Sequence, residues 1–201
     1  MKCIIVISLL FLCYSCTMRT PGEKGKKFEQ ITGDSAFIKN QALNHSRELS
    51  EMLNLPPIFN GVDSFELRLW CSGIWTRRNL FILRYTAGNW EADNYQFYIN
   101  DGGLDSLFLT AKQIPGDTVQ HITSFLSKIK ILPTQVAIPG FRDNTADGIG
   151  YTLEISTNSY YKYLYYHNPF RYHDDYHKTF IQLLDRLTTI FPARVLRLPS
   201  Q

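Results

Sequence analysis

His173-Asp174-Asp175-Tyr176-His177 holds two imidazoles spaced by four residues. On a helix that spacing puts both rings on one face, within reach of one zinc ion, and the HExxH pattern adds a carboxylate between them as general base. Asp174 stands in the base position here, one methylene shorter than Glu, and His167 is the nearest further imidazole. The same residues also open a helix. There the carboxylates of Asp174 and Asp175 suit the positive end of the macrodipole with no metal at all. His173 and His177 are therefore the metal candidates, and a solvated first turn is the simpler reading.

Asp143-Asn144-Thr145-Ala146-Asp147-Gly148, with Glu154 eleven positions after Asp143, approaches a calcium loop. Such a loop alternates oxygen ligands, turns sharply at a Gly and closes with a bidentate Glu. Thr145 departs from the usual carboxylate or amide, and Gly150 sits where an apolar residue is usual. Strand and loop flank the segment instead of helices, so a polar loop entering a hairpin is preferred.

Two further groups offer binding chemistry. Of the 12 tyrosines, eight fall between residues 151 and 176, and alternation puts Tyr161, Tyr163 and Tyr165 on one strand face. Exposed tyrosines would stack on sugar rings or grip a protein with little entropic cost. A binding module of that kind predicts an exposed aromatic patch on the order of several hundred Å²; the alternative is that other elements cover the hairpin. The second group is the polar side of a strand meander: Glu66, Arg68, Arg84, Gln96 and Tyr98. Arginine pairs recognise carboxylates and phosphates. Cross-strand Glu–Arg pairs equally well keep a sheet face soluble. No nucleophile elbow, phosphate loop, dinucleotide fingerprint or zinc ribbon is present, and no cofactor is expected.

The cysteines lie at 3, 13, 16 and 71. Met1-Lys2 gives a short positive start, and Ile4 to Tyr14 is an apolar run of eleven residues. A spanning helix needs about 20 such residues, so the run fits a signal-peptide core. Ser15 directly before Cys16, after this run, resembles the lipobox of bacterial lipoproteins. Cys13 stands where Leu is the commonest residue, and Tyr14 is bulky for its place. The resemblance covers about the first tenth of the chain. It implies removal of residues 1–15, a diacylglyceryl thioether on Cys16 and an acyl chain, such as palmitate, on its new amino group. Buried acyl chains contribute about 0.8 kcal/mol per methylene, so several make a firm membrane anchor. The alternative is an ordinary secretory signal cut nearby. With Cys16 acylated, Cys71 is the one remaining thiol, so no intrachain disulfide is expected.

Residues 16–33 are then the lipidated Cys and a polar, Gly- and Pro-containing tether. Residues 34–201 read as one domain. Asp34 or Ser35 opens a helix to Leu53, with Ile38, Ala42, His45, Leu49, Met52 and Leu53 as its apolar stripe. Strands follow at Ser64 to Trp70, Leu80 to Tyr85, Trp90 to Asn100 and Ser106 to Thr110, with Thr76 to Asn79 in a loop and Ala87-Gly88-Asn89 in a turn. Asp117 caps a helix to about Ile129. Pro133 to Gly150 is a long loop, and Tyr151 to Ser156 pairs with Tyr160 to Tyr166. A last helix runs from Tyr172 to Ile190, with Tyr176, Phe180, Leu183, Leu184, Leu187 and Phe191 facing the core, and Val195-Leu196 forms a terminal strand.

Strands joined by tight turns, not alternating with helices, predict an α+β fold. Its sheet is mainly antiparallel, a meander plus a second hairpin, with about three helices on one face and the other face partly wet. The net charge of +3 is too small for a nucleic-acid footprint. The expected protein is an envelope-anchored lipoprotein facing the periplasm or exterior. It is a non-enzymatic binding or accessory domain, with the membrane, an envelope protein or a glycan as partner. The alternative is a metal-dependent hydrolase using His173 and His177.

Overall fold

The computed structural model describes residues 44–73, 77–101, 103–126, 128 and 148–191. The signal, Cys16 and the tether lie outside the described residues. So do the start of the first helix, Asp143 to Asp147, Ile129 and the Val195-Leu196 strand.

The first described element is helical, 44–52, here α1. Six strands follow: β1 (Phe65–Ser72), β2 (Arg77–Thr86), β3 (Asn89–Asn100), β4 (Gly103–Ile114), β5 (Gly150–Thr157) and β6 (Tyr161–His167). Helix α2 (Gly116–Thr123) separates β4 from β5, and α3 (Asp175–Leu187) follows β6. The strands form one sheet in the order β4-β3-β2-β1-β5-β6. All neighbours are antiparallel. The meander grows outward from β1 and the β5–β6 hairpin joins its other side, so the first strand in sequence lies centrally. The α+β class and antiparallel sheet stand as expected.

Side-chain alternation sorts the sheet into two faces. On one, Leu67, Leu69, Phe81, Leu83, Leu153 and Leu164 are fully covered. They meet Val119 and Ile122 of α2 and Phe180, Leu183, Leu184 and Leu187 of α3. Burying each such side chain contributes about 1.5–3 kcal/mol. On the other face, Trp70, Leu80, Ile82, Tyr95 and Phe97 pack with Leu49 and Leu53. Two helices thus share a face, while α1 covers the middle of the face expected to be partly wet. The chain after α1 holds on there as well: Ser156 Oγ donates to Ile58 O at 2.6 Å, and Val62 N to Thr157 O at 3.2 Å.

Several boundaries differ from the sequence reading. Arg77, Arg78 and Asn79 belong to β2, because they continue its register with Ser72 and Cys71 on one side and Phe97 and Gln96 on the other. Ala87 and Gly88 alone form the β2–β3 turn, both at positive φ (51° and 88°) with Thr86 and Asn89 paired across it. That is the two-residue geometry matched to strand twist. Pro115, not Asp117, occupies the N-cap of α2; the Asp117 carboxylate accepts from Thr118 N–H at 2.7 Å inside the first turn. Helix α2 itself ends at Thr123, and Leu126 and Lys128 are helical again beyond a turn at Ser124 and Phe125. Helix α3 begins at Asp175, not Tyr172, after a 3-10 turn at Pro169–Arg171. Tyr176, expected in the core, is exposed, and His177 is buried in its stead.

Candidate functional site

Arg68 and Arg84 share the α1 face of the sheet, since each pairs across strands with residues of that face. Arg68 is 1% exposed. Its Nε donates to Glu66 Oε1 at 2.7 Å, its Nη2 to Pro56 O at 2.7 Å and its Nη1 to Ser50 Oγ at 3.3 Å. The fork therefore ties β1 to α1 and to the turn after it. Arg84 is half-buried and pairs with Asp93 at 2.7 Å. Burial raises the Asp93 carboxyl above its usual range even with the Arg84 charge opposing. Gln96 and Tyr98 do not belong to this group. Register places them on the opposite face, across from Asn79 and Arg77.

The tyrosine hairpin also turns inward. Tyr161, Tyr163 and Tyr165 share the α1 face with Glu154, which lies level with Arg68 and Tyr163. Glu154 is buried; Trp70 Nε1 donates to one of its oxygens at 2.7 Å and Tyr161 OH to the other at 2.8 Å. Burial first, and then the neighbouring carboxylate, push the Tyr161 hydroxyl well above the usual phenol range. Tyr163 is buried and shifted the same way by desolvation. Tyr165 is half-buried at the rim. The carboxylate proposed to close a calcium loop thus has both oxygens engaged within the sheet. The aromatic patch expected from this hairpin is largely covered.

His173 precedes α3 and is exposed, whereas His177 lies in its first turn and is buried. The two rings do not share a helical face, because residue 173 is not helical. Asp174 caps the helix by accepting from the backbone N–H groups of Tyr176 and His177, both at 3.0 Å, and its second oxygen meets His177 Nδ1. The His177 ring packs against Tyr172 and Tyr166, with centroids 4.5 Å and 5.2 Å away. Among the described residues no group of three His, Cys, Asp or Glu is placed to hold a metal ion. Cys71 is buried, and desolvation pushes its thiol far up, away from the reactive thiolate.

What the described surface does offer lies at β4. Among the described residues β3 is its one sheet neighbour. Leu104, Leu107, Phe108 and Leu109 are 37%, 42%, 63% and 54% exposed. Leu107 and Leu109 lie level with Phe97 and Tyr95 on the α1 face, and Phe108 lies level with Gln96 on the other. The strand thus combines main-chain donors and acceptors on its outer side with apolar side chains above and below. Such an edge pairs readily with another strand. Sequence reasoning placed a strand here but assigned it no role. Leu107-Phe108-Leu109 is apolar on both faces, a pattern usual for a strand covered on both sides. Its position at the end of the meander, before a helical connection, was the available sign that it is an edge.

Compared with known proteins, the chain matches no family model and no curated sequence. Among the described residues no helix is long and apolar enough to cross a membrane.

Proposed function

We propose that this chain is a lipoprotein of the cell envelope, held to a membrane through acylated Cys16, whose folded domain is a non-enzymatic binding or accessory module. The apolar open edge of β4 carries the binding half of this reading. The polar groups with catalytic potential, Arg68, Glu154 and His177, are engaged in internal contacts. The apolar groups at the edge are presented outward. The run from Ile4 to Tyr14 followed by Ser15-Cys16 supports the anchor. Fractionating cells that express Cys16→Ala tests it. The variant is expected to leave the membrane fraction that the native protein occupies, and unchanged retention would refute the lipid anchor.

A further inference from the structure

We infer that the end of the sheet formed by Arg78, Ser72 and Gly150, on the face that α1 covers, binds the phosphate group of a small soluble phosphate monoester. The inference goes beyond the reading of β4 and rests neither on that edge nor on the lipid anchor.

Register brings these residues together. Arg78, near the start of β2, lies level with Ser72 at the end of β1, and Ser72 lies level with Gly150 at the start of β5. Two residues further along, Leu80, Trp70 and Thr152 continue the same face, where Leu80 and Trp70 pack with Leu49 of α1. Level residues on antiparallel strands hold their Cβ atoms about 4.5–5.5 Å apart, so one small ligand spans Arg78 and Ser72. Gly150 keeps the space beside Ser72 free of a side chain. A Cβ there would lie 3.0 Å from Ser72 Oγ and 3.4 Å from Tyr165 OH.

Arg78 is the anchor. It is half-buried, and its enclosed Nε has no hydrogen-bond acceptor. Arg68 and Arg84 each hold a carboxylate, but among the described residues none pairs with Arg78, and burial alone lowers its pKa. A desolvated polar group without partners is destabilising, and an anion that brings acceptors removes that penalty. Ser72 Oγ reaches Gly150 O only at 3.4 Å, long for a hydroxyl, which leaves its proton for a better acceptor. His45, one turn before Leu49 in α1, borders the same end. Burial and then the Arg78 charge hold its imidazole below the usual value, while Glu48, exposed and 3.9 Å away, opposes them.

The placement of the donors selects the ligand. A planar carboxylate is satisfied by two parallel bonds from one guanidinium. Here Arg78 and Ser72 donate from two strands, and His45 approaches from the helix packed above them. Donors on a floor and a roof suit the tetrahedral oxygens of a phosphate, which arginine recognises well. A half-buried guanidinium beside a helix is reached by a small molecule and not by a flat membrane surface.

Titrating the full chain, solubilised in detergent, with inorganic phosphate at fixed ionic strength tests the site. Phosphate is expected to raise the unfolding temperature of the native protein, as any ligand of the folded state does, and to raise the His45 pKa followed by NMR. Arg78→Gln should weaken binding by about tenfold or more, as loss of a charge-assisted contact does. Without phosphate it should unfold no earlier than the native protein, because the side chain ties nothing together. Gly150→Ala pushes Ser72 Oγ aside and should also weaken binding by about tenfold, whereas Lys178→Gln, exposed on α3, should bind as the native chain does. No effect of phosphate on the native protein, early unfolding of Arg78→Gln, or native affinity in Gly150→Ala overturns the proposal. Binding to vesicles containing phosphatidic acid with no binding of free phosphate overturns it as well, by assigning Arg78 to a membrane surface.

Discussion

Arg68 shows how one side chain can turn from a surface group into a structural tie. A buried cation is tolerated only when its donors are engaged, and the guanidinium meets that need with Glu66, Pro56 O and Ser50. Arg68→Ala is expected to cost about 3–5 kcal/mol, because it strands the Glu66 carboxylate and a carbonyl under α1. Arg68→Met keeps the stem's packing and should fall between the alanine variant and the native protein. Midpoints of denaturant unfolding measure both, and a native-like midpoint for Arg68→Ala would show that the fork does not hold α1. Alternation along β1 correctly put Arg68 opposite Leu67 and Leu69. It could not show that this face is covered, because a period of two sorts residues between faces without saying what packs on either. The cover comes from Leu49 and Leu53 of α1, visible in the sequence as an apolar stripe but with no stated place to dock. The internal role of Glu154, read from the sequence as a calcium-loop ligand, was missed for the same reason: its partners Trp70 and Tyr161 come from two other strands.

Helix α3 shows the same division at the scale of an element. Its existence and most of its buried stripe follow from apolar spacing, whereas its start depends on a local competition that spacing does not record. Asn168, at φ 47°, and the 3-10 turn delay the helix until Asp174 can cap it. That rotation buries His177 and leaves Tyr176 outside. Burial pushes the Asp174 carboxyl up, but the backbone N–H of His177, the His177 ring and the Tyr176 N–H outweigh it and hold the group below its ordinary value. A depressed folded value means that its stabilisation is complete above the unfolded aspartate range near pH ~4 and is lost as pH falls through the folded value. Asp174→Ala should remove about 1 kcal/mol at neutral pH, as loss of an N-cap does. Asp174→Asn keeps a capping oxygen, so it should lose less at neutral pH while flattening the acid limb. Thermal unfolding of the three proteins between pH 2 and 7 checks this, and an acid limb unchanged in the asparagine variant would remove Asp174 as its source.

For the whole molecule, strand order decides which parts hold longest. β1 has β2 on one side and β5 on the other, and helices cover both its faces; β4 has, among the described residues, β3 as its one sheet neighbour. The turn signals made the β1–β4 meander and the β5–β6 hairpin legible in the sequence. How the two units join was not, because β1 and β5 are separated by nearly eighty residues and nothing local announces their pairing. That long-range pairing closes the core: Leu67, Leu69 and Cys71 lie level with Ile155, Leu153 and Tyr151 beneath α3. Amides of Leu67 to Cys71 should therefore exchange with solvent only when the whole domain unfolds, while the outward amides of β4 exchange orders of magnitude faster through local opening. Native-state hydrogen exchange resolved by residue measures the difference. The contrast should survive mild denaturant until β1 and β5 lose protection together. Loss of β1 protection while β5 stays protected would mean that the meander and the hairpin are separately stable units and that their pairing is not the step that completes the fold.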